Sequence, residues 1–116
     1  MSKHEKITYV EFPSKNLAIT KKFFAEVFGW IFVDYGSEYV AFKDKGINGG
    51  FYRSSLSSTT DRGSALVVLY SDEFETTLAK IEKAGGTITK PVFSFPGGRR
   101  FHFADPNGNE YAVWTE

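Results

Sequence analysis

Residues Ile7 to Phe12 alternate, with Thr8, Val10 and Phe12 on one face of an extended segment and Ile7, Tyr9 and Glu11 on the other. The pattern predicts a strand covered on both faces and ended by Pro13. Ser14 or Asn16 stands where a helix is capped. Leu17, Phe23, Phe24, Val27 and Phe28 then keep helical spacing up to Gly29, the residue type suited to the left-handed position that closes a helix. Three short runs rich in aromatic and branched residues follow: Trp30 to Tyr35, Glu38 to Lys43 and Gly50 to Arg53. Gly36-Ser37 and Asp44-Lys45-Gly46 separate them, so they predict a three-strand meander.

The polar tract Ser54 to Ser64 has nothing to bury and reads as a linker. Beyond it the same order recurs, with Ala65 to Tyr70 as a strand and Phe74, Leu78 and Ile81 as a helix stripe. Asp72 and Glu75 stand in N-cap and capping-box positions, and Gly85-Gly86 stop the helix. Thr87 to Lys90, Pro91 to Phe95, Arg99 to Ala104 and Asn109 to Trp114 supply further extended runs, with Asp105-Pro106-Asn107-Gly108 as a tight turn. Phe12 and Leu69, Leu17 and Phe74, Phe24 and Ile81, and Gly29 and Gly86 are each 57 positions apart. The offset grows to 61 at Phe42 and Phe103, which predicts a four-residue insertion, and a longer loop, between Phe93 and Gly98. The chain therefore reads as one domain holding a duplicated unit: about 6–53, a linker 54–64, and about 65–116.

Charge and composition narrow the partners. Fourteen Lys and Arg balance 14 Asp and Glu, so no net field is available to hold nucleic acid or an anionic membrane surface. The absence of cysteine excludes thiol nucleophiles, disulfides and thiolate metal sites. The longest apolar stretch, Ala65 to Tyr70, falls far short of the roughly 20 residues of a membrane span, and Met1 to Glu5 is polar, so the expectation is a cytoplasmic protein. His4 lies in that polar tail and is given no role.

Leu17 to Trp30, with its Phe28-Gly29-Trp30 exit, and Phe101 to Trp114, with Phe-x-Phe-Ala-Asp-Pro-Asn-Gly-Asn-Glu-Tyr-Ala-Val, are the most specific parts of a resemblance that covers nearly the whole chain. The duplicated pattern resembles the vicinal oxygen chelate superfamily, which includes glyoxalase I, the bleomycin-resistance proteins and the extradiol dioxygenases. The resemblance implies an α+β fold in which two βαβββ modules form a curved mixed sheet around a cavity, with helices on the outer face. In the family's metal enzymes four side chains, typically His or Glu, hold a divalent ion there. Their positions fall on Tyr9, on Gly50 or Phe51, on Leu66 and on Ala112. None of these offers an imidazole or a carboxylate, so no metal and no other cofactor is expected, and the metal-dependent activities lose their Lewis acid.

Strand parity places Ile7 and Glu11 on the face of Tyr9, Val68 and Tyr70 on that of Leu66, and Glu110 and Trp114 on that of Ala112. With Phe101 and Phe103 toward the helices, Arg100 and His102 turn inward, and the 61-residue offset carries this to Tyr39 and Ala41. The expected ligand cavity is Tyr9, Glu11, Tyr39, Tyr70, Arg100, His102, Ala112 and Trp114. Glu11 and His102 are the candidate acid-base pair; Glu11 beside Arg100 or Lys15 is the alternative. Arg100 suits a ligand's carboxylate or phosphate, or is a solvated strand-edge charge. Pro96 to Arg100 lacks the strand–loop–helix setting of a phosphate loop and reads as a mobile turn over the cavity mouth, while Asp105 to Asn109 is turn chemistry. Two functions follow: a metal-free binder of a small, partly aromatic or amphipathic molecule, or a lyase or isomerase working by acid-base chemistry or with a metal held by other groups. The resemblance also implies a homodimer whose cavity is completed between chains; a homodimeric module without ligand is the third possibility.

Overall fold

The computed structural model describes residues 2–116 and follows the duplicated order. The first unit comprises β1 (Tyr9–Ser14), α1 (Leu17–Phe28), β2 (Phe32–Asp34), β3 (Tyr39–Lys45) and β4 (Ile47–Arg53). The second comprises β5 (Val67–Tyr70), α2 (Phe74–Lys83), β6 (Thr87–Phe95), β7 (Gly98–Ala104) and β8 (Glu110–Thr115). Each unit forms its own four-stranded sheet, ordered β1-β4-β3-β2 and β5-β8-β7-β6, with one parallel pair at the edge and antiparallel pairs elsewhere. The two sheets do not join into one closed sheet.

The helix-side faces of both sheets share one core. Phe12, Phe51, Phe101, Phe103 and Val113 are buried on the strands, and Phe23, Phe24, Val27, Phe74 and Ile81 on the helices, as the alternation and the helical spacing predict. Tyr111 of the second unit contacts Phe12 and Phe24 of the first, with ring centroids 5.4 Å apart in each pair, so the units are welded through aromatic packing. α1 is capped by Asn16, whose side chain accepts from the Ile19 amide, and ends at Gly29 with φ 70°.

Four local expectations are corrected. Pro13 does not end β1. The strand runs on to Ser14, because β1 is an edge strand and the Pro13 carbonyl, which accepts from Asn109 Nδ2, points away from β4; the ring nitrogen on that side needs no ladder partner. Nor is β1 covered on both faces: Tyr9 is 47% exposed, and Glu11 on the same face is exposed too. Asp72 does not cap α2. Glu73 is the cap residue, its amide donates to Ser71 Oγ, and Glu75 instead binds Arg99 at 2.9 Å, which holds its carboxyl below the usual range. The insertion between Phe93 and Gly98 makes no long loop, since Thr87 to Phe95 is one strand with two register shifts, paired with β7 until a Pro96-Gly97 turn.

The turn Asp105 to Asn109 clasps the first unit. Asp105 accepts from the amides of Asn107 and Asn109 and, at 2.7 Å, from the Tyr111 hydroxyl. Burial pushes the Asp105 pKa up despite these bonds, and burial together with the Asp105 charge pushes that of Tyr111 up. Asn107 Nδ2 donates to Thr20 Oγ1 at 2.8 Å, the Asn16 carbonyl at 3.0 Å and Ser14 Oγ at 3.3 Å.

Candidate functional site

The faces of the two sheets away from the helices carry the residues of the expected cavity. Strand register also resolves which residue of β4 corresponds to Ala112 of β8. Gly50 lies opposite Glu11 and Ala41, and Ala112 lies opposite Val68 and His102, which are the residues 57 and 61 positions later. The equivalent position is Gly50; Phe51 points to the core.

On the first sheet, β4 runs between β1 and β3, and Gly50 is bare backbone at its middle. Tyr39 of β3 reaches across it: a Cβ on Gly50 would collide with the Tyr39 hydroxyl and ring. The phenol thereby meets both residues of β1, 2.6 Å from the Tyr9 hydroxyl and donating to Glu11 Oε2 at 2.9 Å. Partial burial, and then the hydrogen bonds to Tyr9 and Glu11, push the Tyr39 pKa far above that of free tyrosine, so this phenol is neutral. Two hydroxyls and a carboxylate thus form a chain over Gly50.

The second sheet presents a different surface. Ala112 is fully buried, and β7 supplies His102 and Arg100. His102 Nδ1 lies 3.4 Å from Glu110 Oε2, while Thr60 donates its amide and hydroxyl to Glu110 Oε1 at 2.8 and 2.9 Å. Burial works to raise the Glu110 pKa, but the Thr60 bonds and the imidazole outweigh it and hold the carboxyl below its usual range. The Arg100 guanidinium lies over the Phe93 and Phe95 rings, 5.5 and 6.0 Å from their centroids. Trp114, opposite Arg100, packs against Tyr70 and Phe95. Two buried nitrogens on this face, Arg100 Nε and His102 Nε2, have no hydrogen-bond partner.

The structure thus groups Tyr9, Glu11 and Tyr39 on one sheet and Tyr70, Arg100, His102, Ala112 and Trp114 on the other. It does not join Glu11 to His102: the carboxylate accepts from Tyr39, and the imidazole's partner is Glu110. Phe93 and Thr60 were not among the sequence candidates; no parity argument places a residue from a bulged strand or a linker. Tyr9, Gly50, Leu66 and Ala112 do not fit a divalent ion, and among the described residues no group of three or more His, Cys, Asp or Glu converges to hold one. Among the same residues no helix is long and apolar enough to cross a membrane.

Two mixed four-stranded sheets built from repeated βαβββ units, each with an open face opposite its helix, define the glyoxalase class of fold. Residues 6–113 match the model of the glyoxalase/bleomycin resistance protein/dioxygenase superfamily, and the chain belongs to that family. No curated protein matches the sequence. Among solved structures, the chain is similar to a glyoxalase-related enzyme from Fulvimarina pelagi, with 20% identity, a TM-score of 0.80, and 97% of this chain and 88% of that one covered. It is also similar to the fosfomycin resistance protein FosX from Listeria monocytogenes, at 16% identity and a TM-score of 0.78 over 97% and 93% of the two chains. A lactoylglutathione lyase from Agrobacterium tumefaciens matches at 19% identity and a TM-score of 0.71 over 98% and 96%. At these identities the likeness is one of fold.

Proposed function

We propose that this protein binds a small, partly aromatic or amphipathic organic molecule without a metal ion and without altering it. The observation that carries this reading is the Tyr9–Tyr39–Glu11 chain laid across Gly50, which puts two hydroxyls and one carboxylate at the positions that the resemblance assigns to the family's metal ligands. Such a chain offers both donors and acceptors to a polar group, and the phenol rings offer flat apolar surface beside them. The second sheet complements it, with Arg100 stacked on aromatic rings and carrying an unpaired buried N–H suited to a ligand carboxylate or phosphate. The open faces, with Tyr9, Tyr52 and Tyr70 at 47, 38 and 49% exposure, are completed in this reading by a second copy in a cytoplasmic homodimer. Elemental analysis of protein purified without chelator tests the reading. Nickel, zinc, manganese and iron well below one per chain are expected; a stoichiometric ion that supports turnover overturns it.

A second reading is favoured by one contact. His102 has a carboxylate at Nδ1 and nothing at Nε2, the arrangement of an oriented general base for a lyase or isomerase. The named relatives include a lyase. Glu110, rather than Glu11, is then the carboxylate that positions the imidazole. If a substrate is found and His102→Ala turns it over normally, this mechanism is wrong.

A further inference from the structure

The strand–helix junctions of the two units are built alike, yet only one is filled. In the first, Ser14 Oγ and Thr20 Oγ1 lie 2.8 Å apart, and the Asn16 carbonyl beside them accepts the Thr20 amide. In the second, 57 positions later, Ser71 Oγ and Thr77 Oγ1 lie 2.7 Å apart, and the Glu73 carbonyl accepts the Thr77 amide. The first floor is occupied by the turn of the second unit: Asn107 Nδ2 donates to both hydroxyls and to the Asn16 carbonyl, and Pro106 packs against Gly85 at the end of α2.

The matching turn of the first unit, Asp44 to Ile47, is one residue shorter and has Gly46 where the 61-residue offset aligns Asn107. A Cβ on Gly46 would meet nothing, and among the described residues no side chain of this turn hydrogen-bonds to Ser71, Glu73 or Thr77. A cleft of about 700 Å³ remains between the end of α1 and the start of α2, lined among others by Phe28, Gly29, Tyr70, Ser71 and Thr77. Three acidic side chains, Glu26, Asp72 and Glu73, face it against one basic, Lys80.

We propose that this cleft is a binding site for a primary carboxamide carried on a small flat apolar body. The amide nitrogen donates to Ser71 Oγ, Thr77 Oγ1 and the Glu73 carbonyl as the Asn107 side chain does to the equivalent atoms, and the body rests on Phe28 and Tyr70. The volume is within the range of small-molecule sites. The acidic rim selects a neutral N–H donor over a carboxylate of the same shape, because an anion would face the like charges of Glu26, Asp72 and Glu73, while one of the two hydroxyl protons is already spent between Ser71 and Thr77. The site lies at the β5–α2 junction; it shares Tyr70 with the open face of the second sheet but takes its polar contacts from Ser71, Glu73 and Thr77, which the reading of the open faces does not use.

Benzamide and benzoate are the probes, titrated into the intact protein and followed by backbone amide NMR. Benzamide is expected to shift Gly29, Ser71 and Thr77 but not Ser14 or Thr20, with benzoate about tenfold weaker or more. The folded Ser71→Ala/Thr77→Val variant should weaken benzamide by about the same factor. No shift at residues 25–29 and 70–77 up to the solubility limit, equal responses to the two probes, or unchanged binding by the folded variant overturns the proposal. If the variant does not fold, the benzamide–benzoate comparison on the unaltered chain decides.

Discussion

The turns that close the two units differ in what they touch. Asp105 to Asn109 reaches into the other half of the molecule, where Asn107 and Asn109 spend their side-chain donors on Ser14, Asn16, Thr20 and the Pro13 carbonyl. Asp44 to Asn48 folds back on itself, and the Asn48 side chain accepts only the nearby Asp44 amide. The strands and helices repeat because each needs its own apolar face buried, but only one of the two turns hydrogen-bonds across to the other half. The open sheet faces diverged in the same way: with no backbone scaffold resting on them, one carries phenols over a glycine and the other an imidazole and a guanidinium among aromatic rings.

The largest way to break this comparison is Asn107→Asp. It replaces a donor by a carboxylate facing two buried hydroxyls already bonded to each other and the Asn16 carbonyl, and should cost about 4 kcal/mol, whereas Asn48→Asp should cost under about 0.5 kcal/mol, both read by urea unfolding. Gly50→Ala comes next. Its methyl meets Tyr39, so the phenol must leave Tyr9 and Glu11 at a cost of about 2 kcal/mol, more than the loss of the Ala112 methyl in Ala112→Gly.

Acid stability separates the two halves more finely. Burial holds the folded pKa of Asp105 above its ordinary 3.8, so this group favours folding below that value and its contribution is lost as pH rises through the folded pKa. Glu110 works the other way: held below 4.5, it contributes above that value and the contribution is lost as pH falls through the folded pKa. Unfolding curves between about pH 3 and 6 should therefore show a shallower acid loss for Glu110→Gln than for the unaltered protein. The smallest expected effect is that of Tyr39→Phe, about 0.5 kcal/mol in stability because Glu11 remains exposed to water, but with loss of any ligand held through the phenol, checked by calorimetry.

The fold was legible because its main signals are periodic. Alternation marked the core side of β1, β7 and β8, helical spacing marked Phe23, Phe24, Val27 and Ile81, and the 57-residue offset tied the halves together. The strand–helix junctions carry no strand or helix period of their own. The Ser14–Thr20 and Ser71–Thr77 bonds span a strand–helix junction, and their own 57-residue repeat was the available signal. The Ser71 hydroxyl, rather than the Asp72 carboxylate, accepts an amide at the start of α2, that of the cap residue Glu73. Pro13 misled because a proline is compatible with a strand whose outer edge is free, and edges are not visible in a sequence. The pairing of His102 with Glu110 needed the β7–β8 register, which places Glu110 two pairs along from Ala112 on the same face.

Crystals soaked in manganese or nickel and measured near the metal's absorption edge test the central claim most directly. The account predicts no anomalous peak on either open sheet face, with the Tyr9–Tyr39–Glu11 hydrogen bonds intact. A peak coordinated by Glu11, His102 or Glu110 would contradict it.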